Sequence, residues 1–320
     1  MPLPPLTNDA RLWQRLGRTL RALPLTAAGF ASLIAINGAQ TASLVVRPFS
    51  RRAFRRFNRW CADTWWGWCV IAAERFNRVR IVVTGEDLPT NENVILVSNH
   101  QQMPDITTLM ALARSKGRLG DLKFFVKKAL KWVPGVGWGM QFLNCPFLER
   151  DWTADRERIA RTFDTLVRER IPMWLVSFVE GTRVTEDKLR ASAEWAMERG
   201  LEATRHVLIP RTKGFVASVE GLGDHLHAVY DVTIGYVEGV PTLWQYITGR
   251  VQQIHVHVRR FPAEELPRLE AELQQWLLDR FYEKDALLEH FYTTGAFPAE
   301  PVLLRVMHRE LGPCAPHLFE

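Results

Sequence analysis

Hydrophobic and polar positions divide the chain into two unlike stretches. Residues 22–46 carry no formal charge, although Pro24, Asn37, Gln40 and several Thr, Ser and Gly break the apolar run. A second apolar stretch, residues 60–73, follows and carries Trp60, Trp65, Trp66 and Trp68. From residue 79 the pattern becomes short β-rich runs separated by amphipathic ones. Residues 80–84, 94–98, 123–126, 146–148, 173–178 and 207–209 predict strands, and the period near 3.6 predicts helices over 106–114, 155–168, 187–199 and 215–221. Strands alternating with helices predict an α/β body, a mostly parallel central sheet flanked by helices. Two later runs, 228–236 and 253–261, alternate more strictly. His255 and His257 share one strand face, read as a solvated face because no third ligand stands near enough for a metal. Residues 263–291 read as one long amphipathic helix after Pro262, followed by a Pro-rich, irregular tail. Three parts follow: 1–78, 79–262 and 263–320.

Composition sharpens the first part. With 320 residues, 47% hydrophobic and 24% charged, the chain buries a sizeable core, which excludes a disordered chain, a collagen and a polytopic transporter. Four cysteines without CxxC spacing make neither a disulfide framework nor a structural zinc site, and point to a reducing compartment. Residues 1–80 hold thirteen Arg and no Lys, a net charge of +10, while residues 81–320 carry −4. Arginines flank the uncharged stretch on both sides, so both ends favour the cytoplasmic face of a membrane. Indole rings favour the headgroup boundary. The region therefore reads as a membrane-associated helical hairpin, lying in or dipping into one leaflet with arginines on lipid phosphates. The alternative is a buried hairpin with a basic solvent face. No A-x-A site marks a cleaved signal peptide. The apolar, Trp-rich setting of the arginines excludes a nucleic-acid groove.

The sharpest chemical signal is Asn99-His100-Gln101-Gln102-Met103-Pro104-Asp105. The run Val94-Ile95-Leu96-Val97 predicts a buried strand, so His100 falls just past its carboxyl end, where open α/β sheets bind ligands. Pro104 suits the first position of a helix and puts Asp105 in its first turn. The intervening residues let the carboxylate fold back onto one imidazole nitrogen, leaving the other free as a general base. A surface His beside a helix-capping Asp is the alternative. Phe178-Val179-Glu180-Gly181-Thr182-Arg183 also follows a hydrophobic run and suits an anion pocket, or an ordinary strand-to-helix loop. Lys127-Lys128 and Lys213 stand beyond two further predicted strands.

These residues resemble the 1-acylglycerol-3-phosphate acyltransferases, within the wider glycerolipid acyltransferases. That family's N-H-x4-D resembles Asn99-His100…Asp105, and its F-P-E-G-T-R resembles residues 178–183. Its glycine region with F-[IL]-x-R is similar to Gly137-Trp138-Gly139-Met140-Gln141…Phe147-Leu148-Glu149-Arg150. Its late hydrophobic-Pro motif resembles Leu208-Ile209-Pro210-Arg211-Thr212-Lys213-Gly214. The four motifs keep the family's order over residues 90–215, and two of them look closer to the lysocardiolipin and lysophospholipid acyltransferase branch. Val179 departs from the family's Pro, which predicts a looser turn before Glu180.

The resemblance implies a glycerolipid acyltransferase-like fold and a membrane-bound enzyme. It implies transfer of a fatty acyl group from an acyl thioester, acyl-CoA or acyl carrier protein, to the sn-2 hydroxyl of lysophosphatidic acid or a related lysophospholipid. No other cofactor and no metal are implied. His100 and Asp105 become the expected catalytic pair. Glu180, Gly181, Thr182, Arg183, Lys127, Arg150 and Lys213 become the expected substrate-binding set, with Glu180 orienting its neighbours. Trp132 and Trp138 are candidates to line an acyl groove, or plain core. Rival readings are a metal-dependent hydrolase, an acyltransferase with a different lipid acceptor and a non-catalytic membrane-surface scaffold.

Overall fold

Val94, Ile95, Leu96 and Val97 are buried almost completely, as a strand covered on both faces must be, and they lie inside a seven-stranded sheet. The structure, a computed structural model, describes residues 5–7, 12–149, 152–298 and 301–302. The chain begins with two helices, α1 (Leu12–Ala42) and α2 (Arg51–Ile71), then runs through β1 (Arg80–Gly85), β2 (Val94–Ser98) and α3 (Pro104–Ser115). Next come β3 (Leu122–Phe124), β4 (Val126–Lys127), α4 (Val136–Phe142), β5 (Phe147–Leu148), α5 (Trp152–Arg168), β6 (Trp174–Ser177) and α6 (Glu186–Met197). The last part holds α7 (Thr212–Leu222), β7 (Ala228–Tyr236), α8 (Leu243–Ile247), β8 (Gln253–Pro262), α9 (Glu270–Thr294) and β9 (Pro301–Val302).

Strand order in the large sheet is β3-β6-β2-β7-β8-β1-β9. The pairs β3–β6, β6–β2, β2–β7 and β8–β1 are parallel, while β7–β8 and β1–β9 are antiparallel. Side chains alternate between the two faces. Val94 and Leu96 pack with Trp66 and Val70 of α2 and Leu109 and Leu112 of α3. Ile95 and Val97 pack with Phe163 of α5, Phe215 of α7 and Leu277 and Phe281 of α9. The architecture is thus the expected mostly parallel sheet flanked by helices.

Several local expectations are corrected. The predicted strand 123–126 splits into β3 and β4, with β4 pairing β5 in a two-stranded sheet of its own. Residues 207–209 form no strand: their N–H groups go to side chains, Leu208 to Glu180 and Ile209 to Ser192 Oγ. The long helix starts at Glu270 rather than residue 263, because Pro267 holds Leu266 extended (ψ 144°) and a single 3-10 turn precedes it. The face carrying His255 and His257 is not solvated. His257 Nδ1 meets Thr84 Oγ1 at 3.0 Å, and His255 lies against Phe291 and Phe297, which close over that end of the sheet.

The N-terminal helices behave differently from each other. α1 is long and apolar enough to cross a membrane by length and composition, and most of its apolar surface is exposed, including Trp13, Leu20, Phe30 and Ile34. Its buried exceptions include the two polar residues that break the apolar run. Asn37 Oδ1 accepts the N–H of Gly135 (3.0 Å), and Asn37 Nδ2 donates to Gln40 Oε1 (3.2 Å), so the polar side chains face the segment before α4. α2 instead packs Phe54, Cys61, Trp66 and Val70 inward and leaves Phe57, Trp60 and Trp68 outside.

Candidate active site

Three neighbouring strands deliver the site. β2 ends at Ser98, and Asn99 then locks the departing chain to β7: its Nδ2 donates to Ile234 O (3.0 Å) and its Oδ1 accepts the Ile234 N–H (2.8 Å). His100 follows at the rim. Its N–H donates to Glu180 Oε1 (2.8 Å) and its carbonyl accepts the Val184 N–H (2.8 Å), so the backbone on both sides of the imidazole is fixed. Phe178 stacks on the ring, with centroids 4.0 Å apart and planes 19° apart.

Asp105 is fully buried in the first turn of α3, and four donors converge on it. Oδ2 receives His100 Nδ1 (2.9 Å), the Gln101 N–H (2.7 Å) and the Gln102 N–H (2.8 Å), while Tyr236 of β7 donates its hydroxyl to Oδ1 (2.5 Å). A carboxylate only accepts, so the ring proton sits on Nδ1 and the Nε2 lone pair is left outward. Nε2 has no hydrogen bond among the described residues. Burial and the Asp105 carboxylate push the Tyr236 phenol well above its ordinary range, which keeps it a donor.

The loop after β6 forms a tight turn in which the Gly181 N–H returns to Phe178 O (2.9 Å). Val179 occupies this turn with its side chain buried in the core. Gly181 adopts φ +70°, and a Cβ there would lie 3.1 Å from Cδ and Nε of Arg211, whose side chain crosses the turn. Glu180 is buried and takes a second N–H from Leu208 at Oε2 (3.2 Å). Burial raises its carboxyl to about 8, against the pull of its two N–H donors. Arg183 is exposed and donates to Gln102 Oε1, and Lys188 donates to Thr182 Oγ1 (2.7 Å).

The structure therefore brings together His100, Asp105, Glu180, Gly181, Thr182 and Arg183. Lys127 and Lys213 are exposed, and no hydrogen bond or ion pair joins them to the His100 cluster among the described residues. Lys127 instead borders an open hollow of about 480 Å³ with Lys128, Trp132, Leu148 and Glu149. Arg150 lies outside the described residues. Trp132 and Trp138 are exposed rather than core. Among the described residues no group of three or more His, Cys, Asp and Glu could hold a metal. Sequence reasoning missed Tyr236, Lys284 and Tyr292, and named Arg211 only within the late motif, without a role. Of the three missed, Tyr236 left a trace, as an aromatic residue ending a strictly alternating run.

Residues 80–237 match the family described as "Acyltransferase", and residues 245–314 the one described as "Acyltransferase C-terminus". The chain is 36% identical over 285 residues to a Brassica napus protein, "1-acyl-sn-glycerol-3-phosphate acyltransferase 2", across 87% of this chain and 73% of that one. It is 34% identical over 272 residues to "1-acyl-sn-glycerol-3-phosphate acyltransferase gamma" of Homo sapiens, across 83% and 72%. The fold is similar to the crystal structure of the 1-acyl-sn-glycerophosphate (LPA) acyltransferase PlsC from Thermotoga maritima, with a TM-score of 0.54 at 18% identity over 85% of this chain and 97% of that one. The family models and these relatives thus make this protein an acyltransferase, an enzyme of class EC 2.3.1. The chain belongs to the 1-acyl-sn-glycerol-3-phosphate acyltransferase family.

Proposed function

We propose that this protein moves a fatty acyl group from an acyl thioester, acyl-CoA or acyl carrier protein, to the sn-2 hydroxyl of lysophosphatidic acid or a related lysophospholipid. His100 Nε2 takes the hydroxyl proton as the oxygen attacks the thioester carbonyl. The C–S bond then breaks, and the imidazolium returns the proton to the departing thiolate. No covalent acyl-enzyme is needed. Asp105 holds the tautomer and offsets the charge of the imidazolium, a positioned general base being worth roughly 10²–10⁴-fold. The observation that carries this reading is Asp105 with all four donors in place, beside a His100 Nε2 that has no partner among the described residues. Glu180 orients the His100 backbone, and Arg183, which donates to Gln102 in the same loop, is a fork for the acceptor phosphate. Lys127, Lys213, Arg150, Gly181 and Thr182 complete the acceptor rim.

Residues 1–78 anchor the enzyme, 79–262 carry the chemistry, and in the C-terminal part, 263–320, the helix α9 braces it. The exposed apolar side of α1 and the thirteen arginines of residues 1–80 support attachment at the cytoplasmic face of a membrane. Both substrates carry long chains, and each buried methylene is worth roughly 0.8 kcal/mol, so accepting them from a leaflet avoids lifting them into water. The test is free-thiol release from a long-chain acyl-CoA in detergent micelles, with and without lysophosphatidic acid, for wild type and His100→Ala. Acceptor-dependent release lost in His100→Ala supports the reading. Release without an acceptor points to a thioesterase. No release with acyl-CoA, acyl carrier protein or any lysolipid sinks it.

A further inference from the structure

The C-terminal helix α9 lies in the segment matched by the C-terminal family description, which assigns it no role. Its buried face includes Phe281, Lys284, Leu288 and Phe291, and one member of that set is a cation with no accessible surface. Lys284 Nζ donates to Val232 O (2.7 Å) and pairs with Asp231 Oδ1 (2.5 Å), while Val97 O lies 3.4 Å away. Val97 and Val232 belong to β2 and β7, the strands that lead to His100 and Tyr236. A buried ammonium is tolerated only where its donors are used, and here they are used on the middle of β7 and the penultimate residue of β2.

Two further α9 residues reach the loops themselves. The Tyr292 hydroxyl accepts the Gln101 Nε2–H (2.6 Å), one residue beyond His100, and Gln101 gives its own N–H to Asp105. Asp285 Oδ1 accepts the N–H groups of Arg205 (2.9 Å), His206 (2.6 Å) and Val207 (3.3 Å). The next residue, Leu208, gives its N–H to Glu180, whose carboxyl group also holds the His100 N–H. Glu289 secures the same connector through His206 Nε2 (2.7 Å), and the His206 ring stands edge-on to Tyr292. Lys284, Asp285 and Tyr292 therefore touch the His100 surroundings from three directions without approaching the outward Nε2.

We propose that α9 is a positioning element of the transfer site, in which Tyr292 acts through Gln101 on the His100–Asp105 loop and Asp285 acts through residues 205–208 on Glu180. This inference rests on His100 and Asp105 being the reacting pair. A packing helix would touch these loops through apolar side chains alone. α9 instead spends a phenol on the Gln101 side chain, a carboxylate on the backbone of residues 205–207 and a buried ammonium on β2 and β7.

The test compares Tyr292→Phe, Gln101→Met and their double variant. Tyr292→Phe keeps the ring against His206 and Phe291 and removes one hydroxyl. Clamping predicts that kcat falls about three- to ten-fold, the worth of one hydrogen bond, with KM for donor and acceptor little changed. The double variant falls no further than either single one, because both remove the same contact. A second readout does not depend on the substrate: hydrogen exchange of the peptide covering residues 99–105 speeds up in Tyr292→Phe while that of α5 stays as it was. If His100→Ala proved fully active, the base assignment would fall, while the exchange and the coupling of Tyr292 to Gln101 would still read the clamp. An unchanged kcat with unchanged exchange, or two losses that multiply in the double variant, would overturn it.

Discussion

A rim of the large sheet and a rim of the small β4–β5 sheet both carry polar side chains, and they are built differently. At the ends of β2 and β6 each candidate group is pinned: Asp105 by four donors, Glu180 by two, His100 on backbone and ring alike. Beyond β3, Lys127 and Lys128 stand exposed on the open hollow, with Glu149 as a partner to Lys128. Moving a proton needs atoms held to within a few tenths of an ångström, whereas attracting an anion needs charge on a long stem. The pinned rim is where chemistry is expected, and the loose rim is where a headgroup can be drawn in.

The largest expected effect breaks the pinned rim at its centre. His100→Ala removes the base and lowers kcat by roughly 10²–10⁴-fold with the fold intact, checked by thiol release and thermal melting. Asp105→Asn comes next, because an amide supplies one acceptor oxygen where four donors converge. We expect kcat to fall by about 10²-fold and stability by about 1–3 kcal/mol, read from rates and denaturant midpoints. The two rims part company at the third test. Arg183→Ala raises KM for lysophosphatidic acid by about ten-fold, while Lys127→Ala raises it by no more than about five-fold and loses even that at high salt.

The smallest effect concerns pH. The Glu180 carboxyl rises from 4.5 to about 8 through burial, so the folded protein holds a proton there that the unfolded chain has released. That contribution to stability is full below pH 4.5 and lost as pH rises toward 8. Glu180→Gln carries no such proton, and the wild-type minus variant difference in melting temperature should fall across this window. A difference that is flat from pH 5 to 8 would refute it.

The same contrast explains what could be read in the sequence. Val94 to Val97 announce a doubly buried strand, and Pro104 with Asp105 announces a helix start, so the His100–Asp105 pair was legible as local spacing. Tyr236, Arg211 and Tyr292 were not. They lie 131, 30 and 191 residues from the groups they serve, and only the folded sheet brings them near. Residues 207–209 misled because an apolar triplet looks like a strand whether its N–H groups meet another strand or the side chains of Asp285, Glu180 and Ser192. His255 and His257 misled because alternation marks two faces without saying what covers each, and here Phe291 and Phe297 do. Asn37 and Gln40, which weaken the first apolar run as a membrane segment, turn out to tie α1 to Gly135 and to each other.

The central claim is that the pinned rim performs acyl transfer. Its most direct measurement is product mass spectrometry after mixing palmitoyl-CoA and 1-acyl lysophosphatidic acid with wild type, His100→Ala and Lys127→Ala. The account predicts phosphatidic acid carrying the new acyl group at sn-2 from wild type, a reduced yield from Lys127→Ala and none above background from His100→Ala. Phosphatidic acid formed by His100→Ala at the wild-type rate would contradict it.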